Sequence, residues 1–354
     1  MIRQTPATKR KIVKIYNDIH DVTVEEISKP DIIPGSVIVK NIRSGICGTD
    51  LYAFNINGPD MNISQGNQFG HEMAGIIAEK AEDIEGIDIG DHVYVNPMLY
   101  CEPTSELSAE AACCTAGGFS EYIRVENAGY GYNLEKLNPN MPWELAAMIE
   151  PCAVAYETIT KHKITPDTKV VIYGGGKIGQ SALALLKTMG VKEVIVTARN
   201  PFRADKIKQL GGILCDTTIK SAPDFVKEYW GRGVGNCNEE TWLADFAIDA
   251  GGWHGALEEL IANAKAASDI AIVALGQTEQ KIVETDLVNR GISIHGAYAY
   301  TPEDCREVIR LMEKAPENFL PLTTGTYPLS DIAQALKDAS DSTKHMKVLI
   351  DLER

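Results

Sequence analysis

The stretch KVVIYGGGKIGQSALALLKTMG, residues 169–190, constrains the fold more than any other part of this chain. Residues 169–173 read as a buried strand, and the apolar spacing over 178–189 reads as an amphipathic helix. Between them Gly174, Gly176 and Gly179 stand in the spacing G-x-G-x-x-G, with Lys177 and Ile178 inside it. The first glycine permits a tight turn, the second lets a pyrophosphate approach the backbone, and the third lets helix and strand pack closely, with phosphate charge at the helix N-terminus. The glycine pattern alone fits many turns. Strand, turn, helix and second strand in register specify a doubly wound parallel sheet that binds a dinucleotide. Lys177 either touches the pyrophosphate or faces solvent, and the spacing does not choose.

Around that turn the chain keeps a βα grammar. EVIVTA (193–198), FAIDA (246–250), IAIVALG (270–276) and ISIHGAYAY (292–300) read as strands, with a further helix near 202–210. The first 150 residues read otherwise. KIVKIY (11–16), SVIVKNIR (36–43), MAGIIAE (73–79), DHVYVNP (91–97) and FSEYIRV (119–125) are short strands broken by turn residues, the pattern of a barrel or sandwich. After residue 300 come helices at 305–315 and near 330–339, then a last strand at 347–352. A chain of 354 residues exceeds one core, so two domains are expected: a β domain over 1–153, the α/β domain over 154–298, and a return to the first over 299–354. Residues 231–245 are too weakly periodic to assign.

Dinucleotides are told apart at the end of the second strand, where an acidic residue would bind a ribose 2′-hydroxyl. Here VIVTARNPFRADK offers Ala198, then Arg199, with Arg203 in the next turn. A guanidinium suits a 2′-phosphate that a carboxylate would repel, so NADP(H) is expected over NAD(H). The competing view makes both arginines solvated surface charge. Asp205 lies too far into the helix to serve as the ribose acid.

In the first domain, FGHEMAG (69–75) interrupts an apolar run with His71 and Glu72. Taken alone such a pair is commonly a surface or satisfied buried pair. Upstream, SGICGTDLYAF sets Cys47 in a glycine-rich turn with Thr49 and Asp50 behind it, and AAMIEPCAV sets Glu150 just before the α/β domain. Cys, His and Glu form a donor set that zinc takes at a catalytic site with one exchangeable position. Cys152, two residues past Glu150, reads as a buried thiol.

Cys47-Gly48-Thr49-Asp50, Gly70-His71-Glu72 with Gly75, Gly90-Asp91 with Val93, Glu150-Pro151 and Gly174 to Gly179 resemble, in order, the motifs of zinc-dependent medium-chain alcohol dehydrogenases, and most of all the sorbitol and polyol branch. The resemblance spans almost the whole chain. It implies a GroES-like barrel domain joined to a Rossmann domain, with the active site between them and a dimer or tetramer assembled through the Rossmann domains. It also implies that Cys47 and His71 bind zinc, with Glu72 and Glu150 binding directly or through water. Asp50 would orient the His71 imidazole. Thr49 would hydrogen-bond the reacting oxygen and begin a proton relay; in some relatives a histidine three residues later ends it, and here that position holds Tyr52. The implied activity is reversible hydride transfer between a nicotinamide and a secondary alcohol or ketone, polyol- or sugar-like.

Many relatives carry four closely spaced cysteines around a structural zinc. The region YCEPTSELSAEAACCTAGG offers only Cys101, Cys113 and Cys114, so one catalytic zinc and no structural zinc is expected. Glu102, Glu106 and Glu110 then read as a solvated face. The formal charge of −15 argues against nucleic acid and anionic lipid as partners. With no secretory signal, no apolar run of about 18 residues and eight scattered cysteines, a cytoplasmic protein with free thiols is expected. Other readings are a simple secondary-alcohol dehydrogenase or ketone reductase, a metal-free reductase on the same scaffold, which would need none of Cys47, His71 and Glu150, and an NADPH-binding sensor without turnover.

Overall fold

A computed structural model describes residues 9–15, 19–100, 113–235, 238–276 and 279–354. Two compact units emerge, 1–150 with 323–354, and 151–322. The α/β unit is thus inserted in the first, and the chain returns to the first at Thr323, where the sequence pattern put the return at residue 299. The helix Pro302–Lys314 stays with the α/β unit, where Lys314 Nζ donates to the Thr188 carbonyl and Asn318 to the Thr188 hydroxyl (3.2 and 2.9 Å).

The first unit is the GroES-like fold, built on a mixed sheet. In order across it run Thr323–Pro328, Lys347–Asp351, Val37–Gly45, Glu72–Lys80, His92–Val95 and Leu134–Lys136, with Tyr122–Val125 also paired to Val37–Gly45. Alternation buries Val37, Val39, Met73, Ile77, Val93, Val95, Ile123 and Val125 in one apolar cluster. The antiparallel register sets Gly45 opposite Glu72 and Leu349 opposite Gly45. Three distant segments therefore meet at one end of the sheet. A separate hairpin pairs Lys9–Ile15 with Val22–Ser28.

The second unit is a Rossmann sheet. Six parallel strands lie in the order Ile213–Asp216, Val194–Ala198, Val170–Tyr173, Phe246–Asp249, Asp269–Ile272 and Ser293–Gly296, which is 3-2-1-4-5-6 by their sequence. The first three named in chain order, Val170–Tyr173, Val194–Ala198 and Ile213–Asp216, alternate with the helices Lys177–Thr188 and Pro201–Gln209. Within the unassigned stretch 231–245, Arg232–Val234 pairs antiparallel with Glu240–Trp242. No helix among the described residues is long and apolar enough to cross a membrane.

Candidate active site

In the first unit the strand Val37–Gly45 runs into Cys47, which precedes the helix Gly48–Asn55. The Asp50 carboxylate accepts the Cys47 backbone N–H at 2.8 Å, satisfying a donor that the helix start leaves open. Because Gly45 pairs with Glu72, the hairpin register carries Cys47 beside His71 and Glu72. Ligand atoms of these three residues all lie within 4.8 Å of one another. His71 and Glu72 are buried, and Cys47 is half-buried. Sulfur, imidazole nitrogen and carboxylate oxygen converging at this spacing fit a zinc ion. Glu150, buried in the same unit, lies outside the group of three, but its charge acts on His71 and Lys347.

The electrostatics are those of a site built for a cation. Burial opposes charge on His71, yet the Cys47 sulfur, then Asp50 and Glu150, push its pKa well above the usual imidazole range. Burial lifts the Asp50 pKa to about 6, against the pull of His71 and the Cys47 N–H. Asp50 Oδ1 stands 3.9 Å from His71 Nδ1, too far for a hydrogen bond, and both atoms are buried without one. Thr49 Oγ1 is likewise buried without a partner. The Tyr52 hydroxyl donates to exposed Asp60 at 3.2 Å.

One residue escaped the sequence reading. Lys347, first in the last sheet strand, is 1% exposed; its ammonium ion-pairs with Glu72 and donates to the Ile46 carbonyl at 3.2 Å. Burial would lower its pKa, but Glu72, Cys47 and Glu150 raise it. No local motif marks it, since the pair spans 275 residues of sequence. Phe54 is core, 1% exposed in the cluster with Phe69 and Phe119. Cys152 is a buried thiol, and His92 stacks on Trp143 with ring centroids 4.6 Å apart. His162 and His295 both bond Asp269, at 2.7 and 3.1 Å. Residues 101–112, with Cys101, Glu102, Glu106 and Glu110, lie outside the described residues; Cys113 and Cys114 do not.

In the second unit the glycine turn takes the expected form. Gly174 has φ +101°, and a Cβ on Gly179 would sit 2.0 Å from the Gly174 carbonyl oxygen, so helix and turn touch through backbone alone. Gly176 is open, its nearest neighbour being the Arg203 guanidinium at 3.9 Å from a would-be Cβ. Lys177 and Ile178 begin the helix and are half-buried. Ala198 ends the second strand, Arg199 is exposed, and Arg203 is half-buried with Nε lacking a partner. Burial lowers the Arg203 pKa. Gln180, fully buried, donates to the carbonyls of Gly175 and Arg203, both at 3.1 Å, and so ties the turn to the next helix.

A GroES-like unit with a Cys-His-Glu cluster, together with a Rossmann unit bearing a phosphate turn, defines the class of metal-dependent nicotinamide dehydrogenases. Comparison with known proteins agrees. Residues 33–133 match the alcohol dehydrogenase GroES-like domain and residues 178–314 the zinc-binding dehydrogenase domain, together about two thirds of the chain. The (R,R)-butanediol dehydrogenase of Bacillus subtilis (strain 168) is 26% identical over 302 residues, covering 80% of this chain and 83% of that one. Sorbitol dehydrogenase of the same bacterium is 27% identical over 303 residues, 81% of each. The crystal structure of 2R,3R-butanediol dehydrogenase from Bacillus subtilis shares the fold with a TM-score of 0.82 at 24% identity, covering 97% and 99% of the two chains. The chain belongs to the zinc-dependent medium-chain dehydrogenases, as an enzyme of the alcohol and polyol dehydrogenase class that uses zinc and a nicotinamide cofactor.

Proposed function

We propose that this enzyme interconverts a secondary alcohol of polyol or sugar-like type and its ketone, using NADP(H) and a single zinc ion. The observation that carries the reading is the convergence of Cys47, His71 and Glu72 within 4.8 Å beside a buried Thr49 hydroxyl that has no partner. Cys47, His71 and Glu72 would hold the zinc, with Glu150 as a further carboxylate. When bound, the ion supplies Lewis-acid polarisation of the substrate oxygen and the nicotinamide supplies or accepts the hydride.

The remaining work falls to the chain. Thr49 Oγ1 accepts the proton leaving the substrate hydroxyl, or returns it in reduction. Tyr52, one helical turn on, carries the route toward solvent through its hydrogen bond to Asp60. Asp50 holds Cys47 through its backbone and keeps a negative charge near His71. In the Rossmann unit, Gly174, Gly176, Lys177, Ile178 and Gly179 present the helix start to the pyrophosphate. Ala198 leaves room for a 2′-phosphate, with Arg199 and Arg203 to receive it; the butanediol and sorbitol activities of the relatives support the substrate class.

Chelation tests the metal assignment. Removing zinc should abolish turnover of a polyol and ketone panel while NADPH still binds and quenches protein fluorescence, and readded zinc should restore activity. Full activity in metal-free protein would overturn the reading.

A further inference from the structure

We propose that Cys113 and Cys114 form a dithiol site that captures a trivalent arsenical, and that capture loosens the segment carrying His71. The two Sγ atoms lie 3.9 Å apart in mutual contact. A direct disulfide needs about 2.04 Å between sulfurs and ordinarily more than about 4.4 Å between Cα atoms, whereas consecutive Cα atoms stand about 3.8 Å apart. A vicinal disulfide therefore demands both a long closure and a strained backbone. Two thiolates held by one soft ion on legs of about 2.3 Å stand roughly 3.8 Å apart at a tetrahedral angle, and somewhat closer at a pyramidal one. The pair therefore stands close to, but wider than, the spacing of a pyramidal dithiolate, and capture must draw the two sulfurs together.

Both cysteines are half-buried, so a small reagent reaches them. Cys114 packs on the apolar cluster that contains Phe69 and Phe119. The hydrogen bond to Cys113, then burial, holds the Cys114 thiol far above its usual pKa. Such surroundings resist a free thiolate but accept a neutral bridge. With an arylarsenic oxide the step is balanced without redox change. Two As–S bonds form, the arsenic–oxygen bonding breaks, and both thiol protons leave with that oxygen as water.

The coupling follows from the residues just beyond. The Ala116 N–H donates to the Cys113 carbonyl at 3.1 Å, closing the turn. Gly118 and Phe119 then donate to the carbonyls of Gly70 and Phe69, at 2.8 and 3.1 Å. A Cβ on Gly118 would lie 2.8 Å from the Gly70 carbonyl carbon and 2.9 Å from the His71 nitrogen, so this backbone lies flat against the segment that presents His71. The charges of His71 and Asp50 act on the Cys114 thiol as well. Drawing the sulfurs onto one ion pulls on a segment with no slack.

The effect on zinc rests on the metal reading above; the capture itself does not. The test uses phenylarsine oxide on the full chain, read by intact mass, peptide mapping, hydrogen exchange and zinc content. One equivalent is expected, adding one phenylarsenic unit less two hydrogens and reversed by 2,3-dimercaptopropanol. Cys113→Ser and Cys114→Ser should each abolish capture while retaining normal melting and zinc. Exchange at the Gly118 and Phe119 amides should rise several-fold on capture, and zinc retention should fall several-fold. Undiminished capture by either variant would place the arsenical on other cysteines and overturn the site. Capture with unchanged exchange at Gly118 and Phe119 would overturn the coupling. Protein that never holds zinc would defeat the metal reading alone, because mass and exchange still score the dithiol.

Discussion

Replacing Lys347 with methionine removes the cation from a nearly waterless ion pair, since both the Lys347 and Glu72 side chains are 1% exposed. The variant keeps the stem's volume but strands the Glu72 carboxylate near Cys47 and Glu150. Breaking such a pair from one side costs about 3–5 kcal/mol, because a buried charge is left uncompensated. At roughly 2–4 °C per kcal/mol for a unit of this size, metal-free Lys347→Met should melt about 6–20 °C below metal-free wild type. Zinc reverses much of the deficit. A dication beside Glu72 replaces the missing positive charge, so zinc should raise the melting point of the variant more than that of wild type. Calorimetry of chelated and zinc-loaded protein, with Lys347→Arg as the charge-retaining control, measures both gaps. A metal-free deficit below about 1 kcal/mol, or a deficit that zinc leaves untouched, would refute the claim that Lys347 serves the charge of Glu72.

Arg199→Asp should weaken NADPH by roughly ten- to a hundred-fold, the loss of one charge-assisted hydrogen bond, and barely change NADH; fluorescence titration giving equal effects on both would reject the phosphate assignment. Gly118→Ala forces a Cβ against Gly70 and His71 and should cost about 1–3 kcal/mol in melting experiments, with weaker zinc retention. Burial raises the Asp269 pKa, but the hydrogen bonds of His162 and His295 outweigh it and leave the carboxyl below its ordinary 3.8. A depressed carboxylate contributes stability above its unfolded pKa and loses it as pH falls through the folded one. Asp269→Asn should therefore flatten the fall in melting temperature below about pH 4, and an unchanged acid limb would contradict it.

The α/β unit was readable because its strands are short apolar runs between glycine turns and helices, so KVVIY and EVIVTA needed no tertiary information. Val22–Ser28 was not readable: it carries two glutamates, is half-buried or exposed along its length and, among the described residues, pairs only with Lys9–Ile15, so burial imposed no alternation on it. Ile213–Asp216 is only four residues long and ends in Asp216, which is too little pattern to score. The helix Pro302–Lys314 was read as a helix but given to the first unit instead of the α/β one, because its amphipathic face does not say which core it covers. In the candidate site, Cys47, His71 and Glu72 announced themselves by chemistry unusual for their surroundings. Lys347 did not, because a lysine opening a strand looks like an edge charge until Glu72 is seen across the sheet. The bonds of His162 and His295 to Asp269 hid for the same reason.

The interrupted architecture of the first unit also dictates an order of events on the ribosome. Arg43–Gly45 waits for Leu349–Asp351 as its sheet neighbour, so the whole inserted Rossmann unit must be translated first. At about 5–20 residues per second, that leaves Cys47, His71 and Glu72 without their lysine for roughly 10–60 s of synthesis. Nascent chains can thus meet zinc before Lys347 exists, and the ion is then the earlier counter-charge for Glu72.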